Sequence, residues 1–374
     1  MKKAGSKLLA ASITVVTAVL QVFGTPQPIH AFENEKVVNS CTSVGSFQAK
    51  MLYDMISKSI VNKYEGIYDF DNLQITISNQ RTEKGSVVVD VDATADMTLI
   101  KSPKDSQYVK GMEEAIEDLT DQAEILLAQN RYEAYLDQVM PCYNETVQIG
   151  FEYQVNIPNN TATRSVTEDE IELYHRIDTE DGAILTKVEM DDKYTEDENY
   201  LAGKEDIARY VENTKENEYA ARAVSFSRAN AVAYAVAHAM DEPEYAGNGN
   251  SDCANFVSKC INAGGIPEDK AGKWFRASTP GGLDAGKHWI RTGYNNGGVV
   301  PYMTGKGYYA LVSYAWQSTL ASIMYWNTKS HVAFVTRIDG YNILYSHHSN
   351  VPKGSTYYLY NSATDNVTFY VPQI

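Results

Sequence analysis

Apolar residues recur at helical spacing between residues 42 and 64, and this pattern predicts an amphipathic helix early in the chain. An acidic amphipathic segment over residues 110–130 predicts a second helix. Short apolar or alternating runs predict strands at residues 73–77, 87–91, 97–100, 146–155, 170–175 and 184–190. This order of helices and strands predicts a small α+β domain of unknown role over residues 32–190.

The pattern then changes twice. Acidic side chains dominate residues 191–225, which predicts a solvated helical linker. From residue 226 onward glycine, asparagine and aromatic residues become frequent, and strand-like runs return near the end of the chain. We therefore predict a second α+β domain over residues 226–374, so that the fold class is α+β throughout.

The first 31 residues have the composition of an export signal. Three lysines precede an apolar stretch of roughly 13 residues, and small residues follow up to a plausible cleavage point after Ala31. An uncleaved membrane anchor is the alternative, but the apolar stretch is shorter than the roughly 20 residues that a spanning helix needs. The sequence thus predicts a secreted or cell-surface protein with no membrane span after removal of the signal.

Charge narrows the range of partners. The chain has 32 basic and 48 acidic residues and a net charge of −16, and loss of the three signal lysines would lower the net charge to −19. Because nucleic acids select basic surfaces, no nucleic-acid partner is expected.

Four cysteines are too few for a disulfide scaffold in a chain of 374 residues. Cys41 and Cys142 could pair across the first domain. Cys253 and Cys260 lie seven residues apart on a predicted helix, a rise of about 10 Å that a disulfide does not span. At least one of the latter two is therefore available for another role.

The segment around Cys253 carries the clearest chemical signal. A Gly- and Asn-rich turn at residues 247–251 precedes Asp252, an apolar helical face follows Cys253, and Gly264-Gly265 supplies a stop. This pattern places Cys253 at a helix N-terminus, with Asp252 as the N-cap and Asn255 in support. Backbone N–H groups and the positive dipole end at that position favour a thiolate. Cys260 falls on the packing face and is expected to be structural.

A nucleophilic cysteine needs a base, and the base needs an orienting group. His331 begins a predicted strand that turns at Asp339-Gly340 into a second strand ending at His347-His348. A three-residue loop with Gly340 in the left-handed conformation would place His331 opposite His347, whereas a two-residue loop would place it opposite His348. Asn350 is a third candidate for the orienting residue. No metal-ligand spacing joins these residues, so neither a metal nor a cofactor is expected.

The C-terminal region resembles a known family. Its segments Phe226–Ala235, Asp252–Ser258 and Ala263–Pro267 are similar to the putative amidase domain of Gram-positive bacteria, which is related to the NlpC/P60 and CHAP cell-wall peptidases. The resemblance implies a papain-like fold of helices on an antiparallel sheet, with Cys253 as nucleophile, His331 as base and His347 as orienting residue. Ala321-Ser322 replace the Gly-Asp pair usual in the family.

Two functions follow as expectations. The first is a cysteine-dependent amidase or peptidase that hydrolyses amide bonds, with peptidoglycan or a peptide as substrate and an acyl-thioester intermediate. The alternative is a cell-surface binding or regulatory protein whose papain-like domain no longer turns over. The intact Cys253 and His331 favour the enzyme, and the altered residues at 321–322 leave the alternative open.

Overall fold

A computed structural model describes residues 36–158, 166–179, 182–216, 225–244, 252–276, 298–329, 331–360 and 366–374. The predicted export signal lies outside these residues. None of the helices in the described ranges is long and apolar enough to cross a membrane. No disulfide joins any of the four cysteines, all of which fall within these ranges.

The first helix, α1 (Ser46–Lys63), packs its apolar face on strands β2 (Tyr68–Glu83), β3 (Ser86–Leu99) and β4 (Thr146–Pro158), which form an antiparallel sheet. Strand β1 (Lys36–Asn39) adds to β2 in parallel. Two strands were expected where β3 runs without a break, because buried Ala93 and Ala95 continue the alternation between the two apolar runs. Strands β5 (Glu172–Thr179) and β6 (Gly182–Lys187) follow β4 and confirm the strand-rich first half.

The single helix predicted over residues 110–130 is wrong. The segment forms two helices, α2 (Gln107–Glu117) and α3 (Gln122–Val139). Asp121 starts the second one, because its carboxylate accepts hydrogen bonds from the backbone N–H groups of Ala123 and Glu124 at 2.9 and 3.0 Å. This capping interaction is a local signal that the apolar periodicity alone does not show.

Helix α4 (Asp197–Glu216) occupies most of the described part of the acidic segment. The helical prediction is confirmed, but the helix is not fully solvated. Its residues Ala202, Ile207 and Val211 are buried against α2 and α3. Whether this segment separates two domains stays a prediction.

The C-terminal part contains helices α5 (Arg228–His238), α6 (Cys253–Ala263) and α7 (Val299–Gly305). Its strands are β7 (Tyr309–Leu311), β8 (Ile323–Trp326), β9 (His331–Ile338), β10 (Ile343–Ser346), β11 (Tyr357–Leu359) and β12 (Val367–Pro372). They pair antiparallel in the order β11-β10-β9-β8-β12-β7. Helices α5, α6 and α7 pack on one face of these strands, and α2, α3 and α4 pack on the other.

One mixed sheet includes strands from both predicted domains. Strand β11 pairs in parallel with β4, with Tyr357 opposite Ile149 and Tyr358 opposite Gly150. The hydrogen-bonded sheet therefore continues from the first half of the chain into the second, and the α+β class is confirmed. The boundary predicted near residues 191–225 remains a prediction from composition.

Helices α2 and α4 cross at two glycines. A Cβ atom on Gly203 would lie 2.0 Å from the backbone oxygen of Tyr108, and one on Gly111 would lie 2.0 Å from that of Tyr200. Backbone atoms cannot rotate away as a flexible side chain can. The close crossing therefore requires a residue without a Cβ on each helix.

We expect Gly203→Ala to lower the free energy of unfolding by about 1–3 kcal/mol, since the added methyl group forces the two helices apart. Urea-induced unfolding measures this change. Gly305→Ala is the matched control, because a Cβ on this α7 glycine would meet no atom within 4 Å. Equal stability of Gly203→Ala and the native protein would contradict the close crossing.

Candidate active site

Cys253 is the first residue of α6 and is buried, with 1% of its surface exposed. The backbone N–H of Phe256 donates to the carbonyl of Asp252 at 2.9 Å, which forms the first turn of the helix. The helix ends at Gly264, and Gly265 follows with a φ of +112°, so the predicted start and stop are both confirmed. Cys253 therefore lies beside the first backbone N–H groups of a helix that is 11 residues long.

The expected capping role of Asp252 is wrong. Its carboxylate makes no hydrogen bond to the helix backbone. Instead Oδ1 accepts from the side-chain amide of Asn255 at 2.8 Å, and Oδ2 lies 2.6 Å from Nδ1 of His348. All three residues are buried.

The hairpin that carries the histidines has neither of the two predicted loops. Ile338 pairs with Ile343, so the loop has four residues, and Asp339 closes it by accepting from the backbone N–H groups of Tyr341 and Asn342 at 2.9 and 2.7 Å. A register shift between Leu344 and Tyr345 then moves the pairing by one residue. Gly340 does take the predicted left-handed conformation, with a φ of +93°.

His331 and His347 nevertheless meet. Nε2 of His331 and Nδ1 of His347 are joined by a hydrogen bond of 3.0 Å, and the two rings are nearly perpendicular at 86°. The second nitrogen of each ring, Nδ1 of His331 and Nε2 of His347, is buried and has no hydrogen-bond partner among the residues that the structure describes. Because imidazole nitrogens are usually satisfied when buried, these two positions are available to a reacting group.

Electrostatics keep both imidazoles neutral. Burial, followed by the nearby charge of Lys353, lowers the pKa of His331 to about 3. The pKa of His347 is also well below the ordinary value, first through burial and then through Lys353 and His331. A neutral imidazole with an unoccupied nitrogen can accept a proton, which a general base must do.

Aromatic rings and one ion pair surround the histidine pair. Trp326, on the neighbouring strand, lies with its ring centroid 5.0 Å from that of His331, and Tyr358 lies 4.8 Å from His347. Lys353 is 1% exposed and is paired with Glu152 of β4 at 2.5 Å. No local sequence pattern predicts this ion pair, because Glu152 and Lys353 are 201 positions apart.

The remaining predicted residues are placed as follows. His348 follows His347 but contacts α6, where its ring stacks on Phe256 at 4.3 Å. Asn350 is not joined to His331, and its side-chain oxygen has no hydrogen-bond partner within the described ranges. The structure therefore joins His331 to His347, and Asp252 to Asn255 and His348, while Asn350 stays outside both groups.

Helix α6 packs directly on β9. Val257 of the helix and Val332 and Phe334 of the strand share one apolar core with Cys253. Asp252 directly precedes Cys253, and His348 directly follows His347. The side chains of Asp252 and His348 are in contact. The start of α6 and the histidine pair consequently lie at the same end of the sheet.

Residues 225–371 match the model of the putative amidase domain family. The matched region begins just before α5 and ends within β12, so it contains Cys253 and all the histidines described above. No curated protein matches the chain, and no solved structure matches it. The match to the amidase domain supports amide hydrolysis as the class of reaction, and residues 1–224 lie outside it.

Ala321 and Ser322, which stand where the resembled family usually carries Gly-Asp, form the turn that leads into β8. Ala321 has a φ of +68°, a conformation that glycine adopts more readily. The backbone N–H of Ala321 donates to Val335 of β9 at 2.9 Å, and the Ser322 hydroxyl accepts from the N–H of Thr319 at 2.9 Å. The turn that leads into β8 is therefore held by hydrogen bonds that do not need the Gly-Asp pair.

No group of three or more His, Cys, Asp or Glu side chains in the described ranges is arranged to hold a metal ion.

Proposed function

We propose that the chain is a cysteine-dependent amidohydrolase. The observation that carries this proposal is the His331–His347 pair, which lies at the end of the sheet where α6 begins with Cys253 and in which Nδ1 of His331 has no hydrogen-bond partner among the described residues. An oriented base near a thiol at a helix N-terminus is the arrangement that nucleophilic catalysis requires. The match of residues 225–371 to the amidase domain is consistent with it.

The reaction follows from these positions. His331 takes the thiol proton of Cys253 at Nδ1, and the sulfur attacks the carbonyl carbon of the amide. The oxyanion is held by backbone N–H groups at the start of α6. His331 then gives the proton to the leaving amine, which departs and leaves an acyl-thioester on Cys253. Water, deprotonated by His331, hydrolyses the thioester and releases the acid.

His347 supports this cycle by fixing the ring of His331. Its Nδ1 holds Nε2 of His331, so the other nitrogen of His331 stays directed away from the pair. Trp326 covers one side of the base and limits its rotation. Burial and the charge of Lys353 lower the pKa of His331 and keep its imidazole neutral.

The proposed substrate is an amide bond of peptidoglycan, in the stem peptide or at the junction of sugar and peptide. This proposal rests on the resemblance to cell-wall amidases and on the export signal predicted over residues 1–31. Incubation of purified sacculi with the protein, followed by mass analysis of the released fragments, identifies the bond. Intact sacculi together with cleavage of unrelated peptides would exclude peptidoglycan as the substrate.

Alkylation distinguishes the enzyme from a catalytically silent binding protein. We expect iodoacetamide at neutral pH to label Cys253 at least about 10-fold faster than Cys260, because only the ionised sulfur displaces iodide. Cys260 is fully buried, and burial raises the pKa of its thiol well above the ordinary value. Peptide mass mapping over time gives both rates, and equal slow labelling would favour the binding protein.

A further inference from the structure

The two aspartates that precede helices behave differently in this chain. Asp121, before α3, has an extended backbone (φ −81°, ψ 127°), and its carboxylate caps the helix. Asp252, before α6, has a helical backbone (φ −88°, ψ −1°), and its carboxylate caps nothing. Since aspartate is among the strongest N-capping residues, something must hold Asp252 in its non-capping state.

His348 is placed to hold the Asp252 carboxylate in this non-capping position. Its Nδ1 lies 2.6 Å from Oδ2 of Asp252, and its Nε2 lies 2.8 Å from the backbone carbonyl oxygen of His238. The ring is stacked on Phe256 and is 6% exposed, so its orientation is fixed from three sides. Asn255 holds the other carboxylate oxygen at 2.8 Å.

We propose that His348 is a positioning residue that keeps the Asp252 carboxylate away from the backbone N–H groups at the start of α6. This inference rests on the proposed function, in which those groups support the Cys253 thiolate and hold the oxyanion. A capping carboxylate would occupy the same donors and would bring a negative charge beside the sulfur. His348 therefore acts through Asp252 on the helix terminus and does not touch the reacting atoms.

The proposal predicts a rescue. In His348→Ala the released Asp252 carboxylate caps α6, and we expect the alkylation of Cys253 by iodoacetamide and the hydrolysis of sacculi each to slow about 10-fold. In Asp252→Ala/His348→Ala no carboxylate remains to cap the helix. Both rates should return to within about 3-fold of the native values, a difference below 1 kcal/mol. If Asp252 and His348 only stabilised the fold, the double variant would react no faster than His348→Ala.

Controls separate the possible failures. Asp241→Asn removes an exposed carboxylate after α5 and should leave both rates unchanged. Thermal unfolding of each variant reports its stability, and His348→Gln with Asp252→Ala/His348→Gln repeats the comparison if the alanine variants do not fold. A double variant as slow as the single one would overturn the role of His348. Full activity in Cys253→Ser would instead overturn the proposed function, whatever the His348 variants show.

Discussion

Cys253→Ser should reduce the hydrolysis of sacculi by at least about 10³-fold, because a serine hydroxyl in this position is hardly ionised and attacks an amide far more slowly than a thiolate. A loss of that size corresponds to about 4 kcal/mol of transition-state free energy. The fold should be retained, since the exchange replaces one sulfur atom with oxygen at the start of α6. The measurement is the rate of release of soluble fragments, with circular dichroism to verify folding.

Cys260→Ala is the matched control for Cys253→Ser. Cys260 lies on the same helix two turns further on and is completely buried in the apolar core shared with β9. Its removal should cost some stability but leave the turnover of the folded protein unchanged. A Cys253→Ser protein with native activity would exclude the covalent mechanism.

His331→Asn should lower turnover by about 10²–10⁴-fold, the usual contribution of a general base. Asparagine keeps much of the polar shape but cannot accept the thiol proton. His347→Asn should lose less activity than His347→Ala, because a side-chain amide can still bond to Nε2 of His331. Native turnover in His331→Asn together with loss of turnover in His348→Asn would show that His348, and not His331, is the general base.

The variant His331→Asn also tests whether His331 is buried in its neutral form. The folded-state pKa of about 3 lies below the ordinary value, so the unfolded chain binds a proton first as the pH falls. The stabilisation is therefore complete above about pH 6.5 and is lost progressively below it, by about 2 kcal/mol at pH 5. Between pH 7 and pH 5, the free energy of unfolding of His331→Asn should fall less than that of the native protein. Urea unfolding at the two pH values measures the difference.

The predictions that the structure confirms rest on residues that are close together in the sequence. The glycine-rich approach to Asp252 and the Gly264-Gly265 stop fix the bounds of α6, so the position of Cys253 at a helix start follows from neighbouring residues alone. The pairing of His331 with His347 was also expected, but for a reason that proved wrong. The Asp339 side chain builds a longer loop, and after the register shift Ser346 lies opposite Phe334, so His331 and His347 are not directly opposed and their rings meet across a diagonal of the sheet.

Distant contacts account for what the sequence did not predict. Asp252 has the residue type and the position of a capping residue, but its carboxylate contacts Asn255 and His348 instead, and His348 lies 96 positions away. Trp326 and Lys353 carry no motif, and their effect on His331 depends on how β8 and the segment after β10 fold together. Side chains that act through tertiary contacts are not visible in a single sequence.

The parallel pairing of β11 with β4 has a consequence for dissecting the protein. A fragment that begins at residue 225, where the amidase match begins, would leave β11 as an unprotected edge open to intermolecular strand addition. It would also remove Glu152, the carboxylate that pairs with the ammonium group of Lys353 in the intact fold. The minimal unit that folds and stays soluble should therefore include β4 as well as the residues that perform the chemistry.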